Sequence, residues 1–485
     1  GNMSWALMKN PQGLACDLFV THGWAEGVFS FCRRVLSAWP EGCRGAYICF
    51  LANPQNLDIG GLIAAPAESP FAKALDAANT MLVVSNHVSS IYTRVWCAYE
   101  AFRAYEANTR IVVAPEPLGM LWVHVVHMVS YCLAGCACAL FLARHAIEFF
   151  LLYAVMVVVF GVMAFLFMHR PGSCVMAATA RLLSFSALTF QTAVCLLQTS
   201  VGFVLLLPVG SLILSVCGEL DLIHSSLALK IKAEVQNGFT GRLEAAEASS
   251  LADYEAIMAE ISEAGSSREV EECLQGLLNQ GISTPELRAT AQLCGPLGDA
   301  SQRRPFLAGI AIYAQIGLMG FYFDQSTGGV FPAALGCLAV CQCTLWLCLV
   351  ARQPRDRQAF AIAANKLWLW IAFPALFPLA PSVILGIMDA SLNGFIGLVI
   401  TVLVGAVILA LTAAGPLRTA HLPCLGPLIV RGLFAEGTCR RPPEVLFRRI
   451  SEISRHGPPV DERRLASVLG TRSLADEAKS KTNSS

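Results

Sequence analysis

Five consecutive residues, Trp96 to Glu100, contain the side chains of this chain that are best placed to do chemistry. They follow an apolar run, Met81 to Ser85, that is typical of a buried strand, and they open a run with helical periodicity. A Trp-Cys-x-x-Glu sequence between a strand and a helix places the Glu100 carboxylate just past the carboxyl end of the strand. Ligands bind at that edge of open α/β sheets. A carboxylate held there can stabilise positive charge that develops on a substrate.

The elements that would position this carboxylate occupy residues 1–116. Four apolar runs predict strands, with helical runs between them. The strands are expected at Asp17–Thr21, Ala46–Leu51, Met81–Ser85 and Arg110–Ala114. Such an alternation predicts an α/β domain with a flavodoxin-like parallel sheet that is covered on both faces. In the helix expected between Val28 and Trp39, the apolar spacing predicts that Arg33 and Arg34 lie on the side away from the core.

The composition of the whole chain predicts a second, membrane-embedded part. Hydrophobic residues make up 55% of the 485 residues and charged residues 14%, whereas a soluble domain carries about 25% charged residues. The 34 basic and 34 acidic residues give a formal net charge of zero, which argues against a nucleic-acid partner. Many of the 19 cysteines lie in apolar runs and lack zinc-ligand spacing. We therefore expect them to serve as small apolar side chains in membrane helices and to form no metal site.

Long apolar runs after residue 116 predict an all-α polytopic region with about eight transmembrane helices. Helices 1–4 would occupy residues 117–217 and helices 5–8 residues 305–415. The runs are Leu121–Ala143, Ala146–Met168, Leu182–Cys217, Phe306–Phe323, Val330–Val350, Leu367–Met388 and Phe395–Ala414. The third run is too long for one crossing, and we expect two short segments that meet near residues 198–200, with Gly202 and Pro208 able to break the helix. A single tilted helix there would give seven crossings instead.

Charge predicts the orientation of these helices. Eight crossings put the connections rich in Arg and Lys on the side of the N-terminal domain, which is the cytosolic side by the positive-inside rule. Both termini are therefore expected in the cytosol. Residues 218–304 hold 14 acidic and 7 basic side chains and predict an acidic helical loop. The tail, 416–485, is basic and partly disordered in this interpretation, and its arginine pairs would contact anionic lipid headgroups.

Five short motifs, in order, resemble those of TIR domains, and most closely the divergent TIR-like domains of algae and other protists. The resemblance covers about residues 16–115, a fifth of the chain. The motifs are Asp17–His22, Phe50–Asn53, Glu68–Phe71, Pro70–Leu75 and Trp96–Glu100.

The resemblance implies a substrate as well as a fold. In enzymatic TIR domains the Glu of the Trp-Cys-x-x-Glu motif cleaves the bond between nicotinamide and ribose in NAD, and here that residue is Glu100. A nearby carboxylate would stabilise the oxocarbenium character of the ribose. The resemblance places His22, Asn53, Ser85 and Trp96 around the same pocket. NAD would be a substrate, and no bound cofactor is implied.

Other interpretations remain open. Many TIR domains are adaptors without catalysis, and the loop from Asn53 lacks the usual charges, with apolar residues at 59–63 instead. Glu100 could simply favour the positive end of its helix, and His22 could be a hydrogen-bonding residue at a strand end. We therefore favour a membrane-anchored signalling or scaffolding protein that acts through TIR-like self-association. An NAD hydrolase, and a transporter or channel with a regulatory cytosolic domain, are the alternatives.

Overall fold

The computed structural model describes the chain in separate ranges. They are residues 3–57, 59–116, 121–144, 201–239, 241–248, 250–265, 267–295, 297, 306–307, 309–311, 330–376, 391–423 and 425–434. The expected span Ala146–Met168, most of the expected span Phe306–Phe323 and the tail beyond residue 434 lie outside these residues.

A five-stranded mixed sheet forms the centre of the α/β part. Its strands are β1 (Leu18–His22), β2 (Ala46–Ile48), β3 (Thr80–Val84), β4 (Arg110–Val113) and β5 (Ile282–Ser283). The spatial order is β2-β1-β3-β4-β5. Strands β1 to β4 pair in parallel, which confirms the predicted α/β class. Val20 lies opposite both Ile48 and Leu82. The strand order therefore reverses between β1 and β3, where open sheets bind ligands.

The fifth strand comes from the segment that the sequence predicts as a helical loop. Ile282 lies antiparallel to Val112, and the amide of Val113 donates to the carbonyl of Gly281 over 3.0 Å. A strand of two residues is too short to show an alternating pattern in the sequence. Its conformation is therefore set by pairing with β4. The sheet is consequently mixed, whereas four parallel strands were expected.

Six helices connect or flank the first four strands. They are α1 (Trp5–Lys9), α2 (Val28–Ser37), α3 (Cys49–Ala52), α4 (Gly60–Ile63), α5 (Pro70–Ala77) and α6 (Val95–Glu106). The start of α5 is encoded locally, because the hydroxyl of Ser69 accepts the amide of Ala72 at 3.2 Å and Pro70 occupies the first turn. Helix α2 packs on one face of the sheet with Phe31 and Val35, and α5 and α6 pack on the other face.

A long helix leads from an apolar region into this domain. Helix α7 covers Leu121–Arg144, and helix α8 covers Val201–Gln236. The expected junction near residues 198–200 lies outside the described residues. Helix α8 begins just after it and continues for 36 residues through Pro208 and through the expected boundary after Cys217. A proline removes one backbone donor, which strains a helix without having to end it. At about 1.5 Å per residue, α8 is about 54 Å long.

Residues after α8 complete the α/β domain. They form α9 (Leu251–Glu263), α10 (Ser267–Gln280) and α11 (Pro285–Cys294). Side chains of α9 and α10 share a core with α6, and the buried ones are Ile257, Ile261, Val270, Cys273, Leu274, Leu277 and Leu278. Two segments that are distant in sequence therefore share one sheet and one core, whereas the sequence predicts a domain over residues 1–116 and a separate loop over residues 218–304.

The remaining described helices are apolar. They are α12 (Val330–Arg352), α13 (Arg355–Leu376), α14 (Ser391–Ala420) and α15 (Gly426–Phe434). Within the described residues, one helical segment, Val402–Ala420, is long and apolar enough to cross a membrane, with a mean hydropathy of 1.7. Eight crossings therefore stay a prediction. Helix α13 also begins twelve residues before the expected span Leu367–Met388.

Residues 1–116 expressed alone are expected to lack a cooperative unfolding transition. They lose β5 and the core side chains of α9 and α10. Burial of each such large apolar side chain stabilises a fold by about 1.5–3 kcal/mol. Together these contributions are comparable with the whole stability of a domain, about 5–15 kcal/mol. The matched control joins residues 226–295 to residue 116 through a flexible linker, and thermal melting followed by near-ultraviolet circular dichroism compares the two. A cooperative transition of residues 1–116 alone, at the melting temperature of the linked control, would contradict the two-segment domain.

Candidate functional site at the carboxyl ends of the strands

Glu100 lies inside the domain, in the second turn of α6. The residue is 7% exposed, because α6 is covered by the sheet on one side and by α9 and α10 on the other. The thiol of Cys97, one turn earlier, donates to the carbonyl of His22 at the end of β1, with 3.6 Å between sulfur and oxygen. The structure thus places Glu100 beneath the carboxyl ends of the strands and closed off by the surrounding helices.

Burial makes the Glu100 carboxyl a weak acid. Desolvation raises the pKa of Glu100 to about 7, against the opposing effects of the Thr21 hydroxyl and the positive charge of Arg94. Among the described residues, neither Oε2 of Glu100 nor Oγ1 of Thr21 has a hydrogen-bond partner of ordinary geometry. Such buried unpartnered atoms are rare in proteins and call for an explanation. Near neutral pH, Glu100 can therefore hold or release a proton.

His22 pairs with a cysteine next to Glu100. Its Nε2 lies 3.2 Å from Sγ of Cys49, and its Nδ1 lies 3.3 Å from the carbonyl oxygen of Gly23. Burial lowers the pKa of His22, while burial and the charge of Glu100 raise the pKa of Cys49 to about 12. Both groups are therefore neutral at pH 7. The rings of Phe31 and Phe50 contact the imidazole and further disfavour its charged form.

Asn53 closes the same region from the β2 side. Its Oδ1 accepts the hydroxyl of Tyr47 at 3.1 Å, and the Tyr47 ring stacks on Phe19 with 5.4 Å between centroids. Burial raises the pKa of Tyr47, and the charge of Glu100 adds to that rise. The structure therefore brings three of the predicted residues, Glu100, His22 and Asn53, into one neighbourhood.

Ser85 and Trp96 are engaged elsewhere. The Ser85 hydroxyl donates to Oε2 of Glu234 at 2.9 Å. The indole of Trp96 donates to Oδ2 of Asp253 at 3.1 Å, and its ring packs against Phe71. Glu234 lies in the last turn of α8 and Asp253 lies in α9, and the sequence did not predict that either element approaches the sheet. Ser85 and Trp96 therefore hold these two helices against the domain.

A buried arginine, Arg34, joins the two segments at the end of β3. Its Nη1 and Nη2 each donate to Glu234 over 2.9 Å, and Nη1 also donates to Ser85 over 3.2 Å. Its Nε lies 3.6 Å from a carboxylate oxygen of Glu26. Arg34 is 3% exposed, so the prediction that it lies on the outer side of α2 is wrong. We call Glu26, Arg34, Ser85 and Glu234 the Arg34 cluster.

Two carboxylates face one guanidinium in the Arg34 cluster. Burial raises the pKa of Glu234, but the hydrogen bonds from Arg34 and Ser85, with the charge of Arg34, bring it below its ordinary value. Burial raises the pKa of Glu26, and the charge of Arg34 offsets this only in part. Oε2 of Glu26 has no partner among the described residues. Glu234 is therefore the firm partner of Arg34, and Glu26 is the loosely held carboxylate.

Backbone hydrogen bonds extend this contact along the strand ends. The amide of Ser90 donates to the carbonyl of Asn237 over 2.6 Å. Val95 donates to the carbonyl of Glu247 over 2.9 Å, and the amide of Glu247 donates to Thr93 over 2.6 Å. The loop between β3 and α6 is thus held by residues 237–247, directly after α8. In the part of the chain that the structure describes, no group of three or more His, Cys, Asp or Glu side chains could hold a metal ion.

Glu100→Gln is expected to remove a pH dependence of stability. The folded-state pKa of about 7 exceeds the ordinary value of 4.5, so the stability that protonated Glu100 gives the folded chain is fully present below pH 4.5. It is lost as the pH rises through 7, by about 3 kcal/mol. The neutral variant lacks this loss. It should match the wild type near pH 4 and melt at a higher temperature at pH 8.

The matched control is Glu106→Gln, at an exposed position of the same helix. Thermal melting of the full chain in detergent at both pH values compares the two variants with the wild type. Equal pH dependence in the wild type and the Glu100→Gln variant would show that Glu100 ionises normally in the folded state.

Comparison of the chain with protein-family models, with curated protein sequences and with solved structures finds no match. The roles assigned to Glu100 and to the Arg34 cluster rest on the geometry described above.

Proposed function

We propose that this chain is a membrane-anchored signalling or scaffolding protein whose cytosolic α/β domain acts by TIR-like self-association and is restrained by helix α8. The observation that carries the proposal is the bidentate contact of Arg34 with Glu234. It joins the ligand-binding edge of the sheet to the end of a helix whose first half is strongly apolar.

The length of α8 supports this coupling. The hydrocarbon core of a bilayer is about 30 Å thick, and a helix of 36 residues exceeds that by about 24 Å. A single rigid element would then extend from the membrane to Glu234. A shift or rotation of α8 would act directly on the Arg34 cluster and on the loop that precedes α6.

The energetics of a buried ion pair suit a two-state restraint. Removing one partner leaves an uncompensated buried charge and costs about 3–5 kcal/mol, whereas an apolar replacement of both partners can be neutral. The side chains of Arg34 and Glu234 are 4% and 6% exposed. The pair therefore stabilises the domain when α8 is in place, and partial displacement of α8 has a high free-energy cost.

Arg34→Met is expected to increase self-association of the domain in the membrane. A loss of about 3 kcal/mol would raise the released fraction by roughly a hundredfold. The measurement is Förster transfer between two fluorescent labels on N-terminally tagged full chains that share one membrane. Arg33→Met, at the exposed neighbouring position, is the matched control and should leave the transfer unchanged.

A double variant separates electrostatics from loss of structure. Arg34→Met with Glu234→Met removes both charges and should return the transfer towards the wild-type level.

Extraction of the chain from membranes by alkaline carbonate would overturn the anchoring. Equal transfer in the wild type and in Arg34→Met would overturn the restraint.

One observation favours NAD hydrolysis as a second candidate function. Among the described residues, Oε2 of Glu100 has no hydrogen-bond partner of ordinary geometry, and its pKa lies near 7. Burial in a dry site strengthens the stabilisation of an oxocarbenium-like ribose. Since the residue is 7% exposed, NAD would reach it only after the domain opens.

For this candidate, Arg34→Met should release nicotinamide from NAD faster than the wild type does. The full chain in nanodiscs is assayed by chromatography of the products. Adding Glu100→Gln to Arg34→Met should abolish the release, and adding Glu106→Gln should not. Nicotinamide that persists without Glu100, or its absence from every variant, would exclude this reaction at the site.

A further inference from the structure

Helix α14 is interrupted at Gly415, near the end of the apolar segment Val402–Ala420. Gly415 has φ +78° and ψ 174°, a combination that is essentially confined to glycine. The next residue, Pro416, has no backbone donor, which removes a helical hydrogen bond at the same point. Hinges absorb their changes of backbone angle at a few such residues. The local sequence therefore provides α14 with a hinge.

The hinge packs against a partly buried ion pair of Arg357 with Glu286. Nε of Arg357 donates to both carboxylate oxygens of Glu286, over 3.0 and 2.9 Å. An added Cβ atom at residue 415 would lie 3.2 Å from Nε of Arg357 and 3.3 Å from Oε1 of Glu286, which is closer than ordinary van der Waals contact. The backbone of α14 thus fits against the ion pair because residue 415 is a glycine. A change of backbone angle at Gly415 would displace both partners.

Glu286 lies in the first turn of α11, and one residue separates this helix from strand β5. That residue, Thr284, accepts the amide of Leu287 over 3.3 Å and donates its hydroxyl to Oδ2 of Asp356 over 3.3 Å. Asp356 and Arg357 both lie in the first turn of α13. Two side-chain contacts therefore fix the start of α11 to α13, beside the hinge of α14, and β5 follows any movement of α11 closely.

Arg288 connects α11 to the amino end of β4. Its Nη1 and Nη2 donate to the carbonyl of Thr109 over 3.3 and 3.2 Å, and Nη1 also donates to Oγ of Ser283 in β5 over 3.3 Å. Hydrogen bonds from a charged donor are stronger than neutral ones, and Arg288 is buried. A displacement of α11 would therefore change the position of β5 beside β4.

Strand β5 covers one edge of the sheet with two residues. It is the last strand in the order β2-β1-β3-β4-β5, and the amide of Val113 donates to the carbonyl of Gly281 just before it. So short a strand keeps its position through tertiary contacts, and α11 supplies several of them. Without β5, the backbone donors and acceptors along the outer edge of β4 would be open to pairing with another strand.

We propose that helix α11 couples the hinge at Gly415 to strand β5, so that bending of α14 detaches β5 and uncovers the edge of β4. The pair of Arg357 with Glu286 transmits the movement to α11, and Arg288 transmits it to the strands. This coupling acts at the amino end of β4, whereas the Arg34 cluster lies at the carboxyl ends of the strands. It does not depend on that cluster, and it gives the apolar helices α13 and α14 a separate route to the sheet.

The test is hydrogen–deuterium exchange of the full chain in detergent, followed by mass spectrometry. Gly415→Ala displaces the ion pair through the added Cβ, and Glu286→Ala removes the pair while leaving the backbone of α14 intact. Each variant should accelerate exchange at residues 110–113 and 281–284 by about tenfold, the effect of losing one hydrogen bond to a charged group. Exchange in β1 and β3 should stay unchanged. The matched control is Gly432→Ala in α15, since no atom lies within 4 Å of an added Cβ there.

The double variant Gly415→Ala with Glu286→Ala separates transmission from independent effects. Contacts in one network are not additive, so the double variant should exchange no faster than the faster single variant. A product of the two single effects, about a hundredfold, would show that the sites act separately and would overturn the inference.

Two further outcomes would overturn the coupling. Equal acceleration in every strand would show that the variants destabilise the whole domain. Unchanged exchange at residues 110–113 in Glu286→Ala would show that the ion pair does not hold β5, and this result decides the question even where Gly415→Ala fails to fold.

Discussion

The ion pair of Arg34 with Glu234 is the interaction on which the arrangement of this domain depends. A guanidinium that is 3% exposed cannot stay buried without compensation, because its desolvation costs several kcal/mol. The compensating carboxylate comes from 200 positions later in the chain. Once this pair forms, the end of α8 must lie at the carboxyl edge of the sheet. The position of residues 237–247 along the loop before α6 then follows from chain connectivity.

The Arg34 cluster is also a poor arrangement for stability alone. It holds two carboxylates for one cation, and Oε2 of Glu26 and Nε of Arg34 lack hydrogen-bond partners among the described residues. Well-packed apolar residues would serve a static interface at least as well. Local departures from the rules of folding are expected at functional sites. The cluster is therefore better suited to an interface that rearranges than to a static one.

Local patterns account for the strands β1, β3 and β4 and for α5 and α6, since apolar runs and the Ser69 cap act within a few residues. The expected strand Ala46–Leu51 is only half correct, because it ends at Ile48 and the chain continues as α3. Local patterns fail where the partner is distant. The spacing in α2 assigned Arg34 to the outer side, because a periodic pattern treats every charge as solvated and contains no information about Glu234. Glu100 was placed at the correct edge, but its burial depends on α9, whose Glu260 accepts the hydroxyl of Tyr99 at 2.8 Å. Strand β5 had no local signal at all.

Arg94 links Glu100 to the segment that follows α8. Its positive charge lowers the pKa of Glu100, and its backbone bridges that of Glu247, in the segment that follows α8. A movement of α8 that carries Glu247 away would shift the first turn of α6 and with it the distance from Arg94 to Glu100. Loss of that positive charge raises the pKa of a buried carboxyl, so displacement of this segment would favour the protonated form of Glu100.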